Sequence, residues 1–173
     1  YPGSDVTNML SGGTNISNPA TVYVRFWFRW LGYTGDNNHP LFLSQNDGSN
    51  YGFALMRGYA GANTFSIFSD ISDQIYYYSP GFSLNTWYRI EYKITGGGGS
   101  SGTVLVRIDG VDATSDFLSD SDSQPLTTRN GSLTVDTLNY IYIGVYYLPG
   151  SSGNLLDLTG IKVTDGPDWI GGD

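Results

Sequence analysis

The stretch that decides the fold is Thr21-Val22-Tyr23-Val24-Arg25-Phe26-Trp27-Phe28-Arg29-Trp30-Leu31-Gly32-Tyr33. Val22, Val24, Phe26, Phe28 and Trp30 alternate in it with Tyr23, Arg25, Trp27, Arg29 and Leu31. A period of two means a β-strand. One face is wholly apolar and belongs between two sheets; the other mixes aromatics with arginines and faces solvent or a ligand.

Short pieces of the same kind lie downstream: Leu41 to Gln45, Tyr51 to Arg57, Thr64 to Ser69 and Gln74 to Tyr78, parted by turn residues such as Asn46-Asp47-Gly48 and Gly58. Trp87 to Thr95 alternates again, with Tyr88, Ile90, Tyr92 and Ile94 against Trp87, Arg89, Glu91 and Lys93. A flexible Gly-rich loop follows, then Thr103 to Ile108 and a tight Asp109-Gly110 turn into Val111. A polar stretch rich in Asp and Ser runs from Thr114 to Asn130, and its middle reads as a long surface loop. Strand character returns at Leu133 to Val135, Tyr140 to Tyr147 and Leu155 to Val163. No segment holds a helical apolar period, so the expectation is an all-β, antiparallel two-sheet sandwich with little helix.

At 173 residues the chain is expected to be one domain, residues 1-173, with 1-20 as an N-terminal arm or first strand and 165-173 as a C-terminal tail. Starting at Tyr1 without Met suggests processing or excision from a longer protein, and the first residues lack the basic and apolar regions of a signal peptide. There is no cysteine, hence no disulfide framework and no thiolate site. No apolar run approaches the length that crosses a bilayer as a helix. Aromatics are 15% and charged residues 14%, a balance that points to an extracellular, cell-surface or virion-surface protein.

The net charge is −8, and the eight Lys and Arg look scattered along the chain. Without a basic stripe, nucleic acid is excluded as a partner and a neutral or weakly charged polysaccharide is the better expectation. Asn15-Ile16-Ser17 and Asn130-Gly131-Ser132 fit the N-glycosylation pattern.

The run Trp87-Tyr88-Arg89-Ile90-Glu91-Tyr92, a Gly-rich loop and Val104-Leu105-Val106-Arg107-Ile108-Asp109-Gly110 resembles a hairpin of laminin-G-like and concanavalin A-like jelly rolls. Phe26-Trp27-Phe28 and Leu41-Phe42-Leu43-Ser44-Gln45 resemble the early paired strands of that superfamily, and Leu156 to Val163 its closing strand. The resemblance implies a jelly-roll sandwich. It also implies a metal position: Asp157 occupies the place of a closing-strand aspartate that holds a structural calcium ion, and it reads either as that ligand or as a surface carboxylate.

Catalysis is not expected. Glycosidases of this fold need paired carboxylates, and the only Glu is Glu91, beside Arg89 and Lys93, which reads as a surface ion pair. Alginate lyases of the fold carry a Gln-hydrophobic-His strand and a late Gly-x-Tyr strand. Here Leu43-Ser44-Gln45-Asn46-Asp47 has Asp where the His would fall, whereas Gly144-Val145-Tyr146-Tyr147 is similar to the late strand. The only histidine, His39, reads as an exposed loop residue.

Sugar recognition needs exposed aromatic rings beside hydrogen-bonding groups. Arg25, Trp27 and Arg29 on the polar face of the first long strand, Tyr77 within Tyr76-Tyr77-Tyr78, and Tyr146 and Tyr147 are the candidates. Trp87 reads as core and Trp169 as a lock for the tail. The Asp116, Asp120 and Asp122 group resembles a cation loop by composition only, and solvated disorder is the reading for it. The function expected first is a non-catalytic, lectin-like glycan-binding module. A self-associating structural subunit, whose N-terminal stretch adds to a neighbour's sheet edge, comes second. A polysaccharide lyase comes third.

Overall fold

The computed structural model describes residues 9–10, 21–30, 39–46, 51–59, 62–69, 74–96, 101–119, 121–132, 140–146, 156–166 and 169–170, with side chains at 21–29, 76–96, 101–119, 121–132, 157, 159–166 and 169–170. In chain order the strands are β1 (Met9–Leu10), β2 (Thr21–Trp30), β3 (His39–Asn46), β4 (Tyr51–Tyr59), β5 (Ala62–Ser69) and β6 (Gln74–Tyr78). Then come β7 (Trp87–Thr95), β8 (Thr103–Ile108), β9 (Val111–Asp112), β10 (Phe117–Ser119), β11 (Tyr140–Tyr146) and β12 (Leu156–Thr164). Two single 3-10 turns, Thr114–Asp116 and Leu126–Thr128, complete the described elements.

The strands form a seven-stranded sheet in the order β1-β11-β3-β4-β5-β6-β10 and a five-stranded sheet in the order β12-β2-β7-β8-β9. Every pairing is antiparallel. The two-sheet antiparallel sandwich expected from the sequence is therefore present. No helix among the described residues is long and apolar enough to cross a membrane.

The core follows the alternation. Val22, Val24, Phe26 and Phe28 of β2 are all 0% exposed, and Ile90, Tyr92 and Ile94 of β7 lie beside them with Val104 and Val106 of β8. Tyr76 and Phe117 meet this layer from the seven-stranded sheet. At one end the connection from β6 to β7 inserts Phe82 edge-on against Phe28 at 5.1 Å and against Tyr88 at 4.8 Å. Tyr78 packs on Phe82 at 4.6 Å and on Phe117 at 5.3 Å, so this cluster ties the two sheets together.

The polar stretch from Thr114 to Asn130 is loop only in its middle, as expected; its two ends are built into the sandwich. It supplies strand β10 and buries Phe117, Leu126 and Thr114 to 1% exposure or less. Two of its polar side chains stand in for a missing neighbour strand along β8. Thr114 Oγ1 accepts from the Val106 N–H at 2.9 Å. Asn130 Oδ1 accepts from the Val104 N–H at 2.9 Å, and its Nδ2 donates to the Val104 carbonyl at 3.1 Å. Those bonds satisfy a sheet edge that the two-residue β9 leaves open. They also engage the amide of one of the two glycosylation triplets. At the N-terminus, Met9 and Leu10 pair with Gly144 and Ile143 of the same chain. Within this chain, this part of the N-terminal stretch forms a first strand.

Candidate functional site

The residues singled out from the sequence divide between the two outer faces of the sandwich. Phe26 and Phe28 point inward, so Arg25, Trp27 and Arg29 lie on the outer side of the five-stranded sheet. Tyr76 is buried, which puts its neighbour Tyr77, half-buried, on the outer side of the seven-stranded sheet. Tyr146 ends β11 of that second sheet, and Tyr147 lies outside the described residues. The structure therefore holds two surfaces where the sequence suggested one.

On the seven-stranded sheet the register assembles rows of polar and aromatic positions. Arg57, Ser66, Tyr77 and Leu118 form one row across β4, β5, β6 and β10. Tyr140, Asn46 and Tyr51 form another across β11, β3 and β4. His39 is a strand residue, not a loop residue, and its register partner is Tyr146 beyond an irregularity after Gly144. Gln45 has the parity of Leu43, whose row runs through Leu55 and Ile67 to the buried Tyr76. Arg57, Tyr51, Tyr140 and Asn46 were absent from the sequence candidates, since only pairing between strands places Arg57 in the row of Tyr77 and groups the other three.

The five-stranded sheet shows its outer face in side-chain detail. Trp27 is opposite Arg89 and Arg29 is opposite Trp87, so indole and guanidinium alternate as on a checkerboard. The Arg29 guanidinium stands 5.0 Å from the Trp87 ring centre and that of Arg89 stands 5.8 Å from Trp27. Lys93 lies 5.5 Å from Tyr23, and Arg107 lies 4.1 Å from Trp169. Each such pair contributes about 0.5–1 kcal/mol at an exposed site.

Three expectations are corrected here. Trp87 is not core: it is 38% exposed, because β7 begins at the rim and its first residue is on the outer face. Glu91 is not a surface carboxylate: it is 4% exposed, flanked in register by Arg25 and Arg107, with Arg89 Nε at 3.6 Å. Nor are the cations scattered. Arg25, Arg29, Arg89, Lys93, Arg107 and Lys162, six of the eight in the chain, occupy strands β2, β7, β8 and β12 of one sheet face.

The tail explains part of this burial. Trp169 meets Tyr23 edge-on at 5.7 Å, and the Ile170 carbonyl accepts from Arg25 Nη1 at 3.3 Å. Tyr23 and Arg25 are consequently 4% and 3% exposed. Trp27, Arg29 and Trp87 lie toward the other end of the face and keep solvent contact.

Asp157 sits opposite Arg29, and its Oδ2 accepts from Arg29 Nε at 2.9 Å and from Nη2 as well. A carboxylate engaged in this way is a guanidinium clamp. Among the described residues no group of three or more His, Cys, Asp or Glu could hold a metal ion. Asp122, of the acidic group read as solvated disorder, instead bonds the Gln124 N–H and the Arg129 guanidinium within an ordered turn. The Gln124 N–H first, and the Ser119 hydroxyl next, hold its carboxyl below the usual carboxylate range. Asp120 lies outside the described residues. Burial pushes the Tyr92 phenol above its usual range, as expected of a core tyrosine.

No protein-family model and no curated protein matches the chain. Among solved structures it is similar to "Cellulose induced protein, Cip1", with a TM-score of 0.59 and 18% identity over 92% of this chain and 74% of that one. It shares the Cip1 fold. It is also similar to the alginate lyase AlgAT5 of Polysaccharide Lyase family 7, with a TM-score of 0.52 and 14% identity over 83% of this chain. The match spans 58% of that lyase. The jelly-roll sandwich implied by the sequence resemblance thus stands. The expected absence of catalysis does not: a polysaccharide lyase is built on the same fold, so the fold gives no support to a chain that is not an enzyme.

Proposed function

We propose that the chain recognises a polysaccharide and takes it across the outer face of the seven-stranded sheet. The observation that carries this reading is a pair of rows on that face, Arg57, Ser66 and Tyr77 in one and Tyr140, Asn46 and Tyr51 in the other, with the row of Tyr142, Ser44, Ala54, Phe68 and Ile75 between them. Tyrosines offer ring faces to pyranoses, and Arg, Asn and Ser supply the donors and acceptors that sugar hydroxyls need. The names of its structural neighbours, a cellulose-induced protein and an alginate lyase, lend the same direction. An extracellular or surface setting agrees with the paucity of Lys and Glu.

A second reading, β-elimination on a uronate polymer, is favoured by one pairing. His39 and Tyr146 are register partners on this sheet, and both residue types serve as bases in proton abstraction next to a carboxylate. Gln45 does not share the parity of the Tyr77 row, so Arg57 is the better choice for neutralising the uronate.

The test is a pull-down on insoluble polysaccharides and affinity electrophoresis in soluble ones, with the ultraviolet absorbance of unsaturated uronates followed in parallel. Selective binding weakened by Tyr77→Ala supports recognition at this face. Product formation abolished by His39→Ala and Tyr146→Phe supports elimination. A chain that binds no polysaccharide and releases no product contradicts both.

A further inference from the structure

We propose that the outer face of the five-stranded sheet is a second glycan-binding surface, selective for acidic, uronate-bearing chains. It lies on the opposite side of the sandwich from the site proposed above and does not depend on it. Six of the eight cations of the protein stand on this face, against three carboxylates on the same strands, Glu91, Asp112 and Asp157. Glu91 is buried and Asp157 is engaged by Arg29, so neither repels an arriving anion as an exposed, unpaired carboxylate would. In a protein of net charge −8, the remaining surface is strongly acidic. A polyanion is repelled elsewhere and admitted here.

The aromatic component makes the ligand a sugar polymer and not a small anion. Trp27, Arg29, Trp87 and Arg89 alternate in a two-by-two square, with Trp87 38% exposed and the Arg29 side chain 34% exposed. A guanidinium held against an indole presents N–H groups beside the ring. A pyranose on the indole and its carboxylate on the neighbouring guanidinium satisfy both groups at once. Lys162, exposed on β12, extends the cationic track.

The square is also held in place before any ligand arrives. Asp157 fixes Arg29 and the indole of Trp87 covers it; Glu91 lies beside Arg89. Gly160 and Gly110, both at positive φ, leave the room that Trp27 and Arg89 occupy. Side chains already ordered lose little entropy on binding, which favours affinity. At the other end the tail covers Tyr23 and Arg25, so on β2 the open surface ends at Trp27, while Lys162 on the edge strand β12, in register with Arg25, stays exposed beside the tail.

The test uses the full chain with polygalacturonate as the acidic probe and a soluble β-glucan as the neutral one, each at low and high salt. Trp87→Ala removes the exposed indole, and the exposed Lys162→Glu reverses one charge without touching the core. Tyr77→Ala reports on the other sheet. Each five-stranded-sheet variant is expected to weaken polygalacturonate binding about tenfold, and salt is expected to weaken it in wild type. The proposal is overturned if wild type binds no polygalacturonate, or if neither variant changes its affinity. Loss confined to Tyr77→Ala also overturns it while leaving the seven-stranded site standing. Loss confined to Trp87→Ala and Lys162→Glu, with Tyr77→Ala unchanged for every glycan, upholds this surface and removes the other.

Discussion

The indole of Trp27 fills the space in which Gly160 has no side chain: a Cβ on Gly160 would come within 3.1 Å of Trp27 Cδ1. Gly160 has a φ of +64° and lies where β12 slips register against β2, between Thr159 and Lys162. The irregularity and the glycine together let the indole approach the β12 backbone closely.

Gly160→Ala is accordingly expected to cost roughly 1–2 kcal/mol through the left-handed backbone alone. A displaced Trp27 should alter tryptophan fluorescence in the folded state. Urea unfolding followed by that fluorescence checks both effects, with the midpoint falling and the slope unchanged.

Glu91 is a structural carboxylate, and Glu91→Gln is expected to destabilise the fold by about 3 kcal/mol or more because cations around it lose their counter-charge. Circular dichroism melts of wild type and variant measure this. An unshifted melting temperature would return Glu91 to the exposed ion pair read from sequence.

Thr114→Val removes the hydroxyl that serves the Val106 N–H and leaves that buried donor unpaired. The expected loss is about 1–3 kcal/mol. Thr114→Ser keeps the oxygen and should recover most of it.

Asp122 supplies a pH dependence. Its folded pKa lies below its ordinary value of 3.8, so its stabilising contribution is present at neutral pH and is lost as pH falls through the folded value. The melting-temperature difference between wild type and Asp122→Asn should stay constant between about pH 5 and 8 and shrink in stronger acid.

Much of the fold is legible in the sequence because alternation bounded by turn residues marks strands well. The expected limits of Gln74–Tyr78, Trp87–Thr95 and Thr103–Ile108 coincide with β6, β7 and β8. Strand β10 escapes because Phe117-Leu118 is only a two-residue apolar step between Ser and Asp residues, and only the sandwich reveals what Phe117 packs against. The cationic face escapes for a different reason: Arg25, Arg89, Arg107 and Lys162 are far apart in the chain and meet only through strand register. Burial of Glu91 is equally tertiary, since cross-strand arginines surround it. Facing decides the site too. Sequence alternation separates Arg25 from Phe26, but it does not say that Tyr77 belongs to the opposite outer surface.

The most direct test of the central claim is the affinity of wild type and Tyr77→Ala for the polysaccharide that wild type retains, with Trp87→Ala as the control on the other sheet. The seven-stranded site predicts a loss of about tenfold in Tyr77→Ala, with the variant still folded by circular dichroism. Equal affinity in wild type and Tyr77→Ala would contradict it.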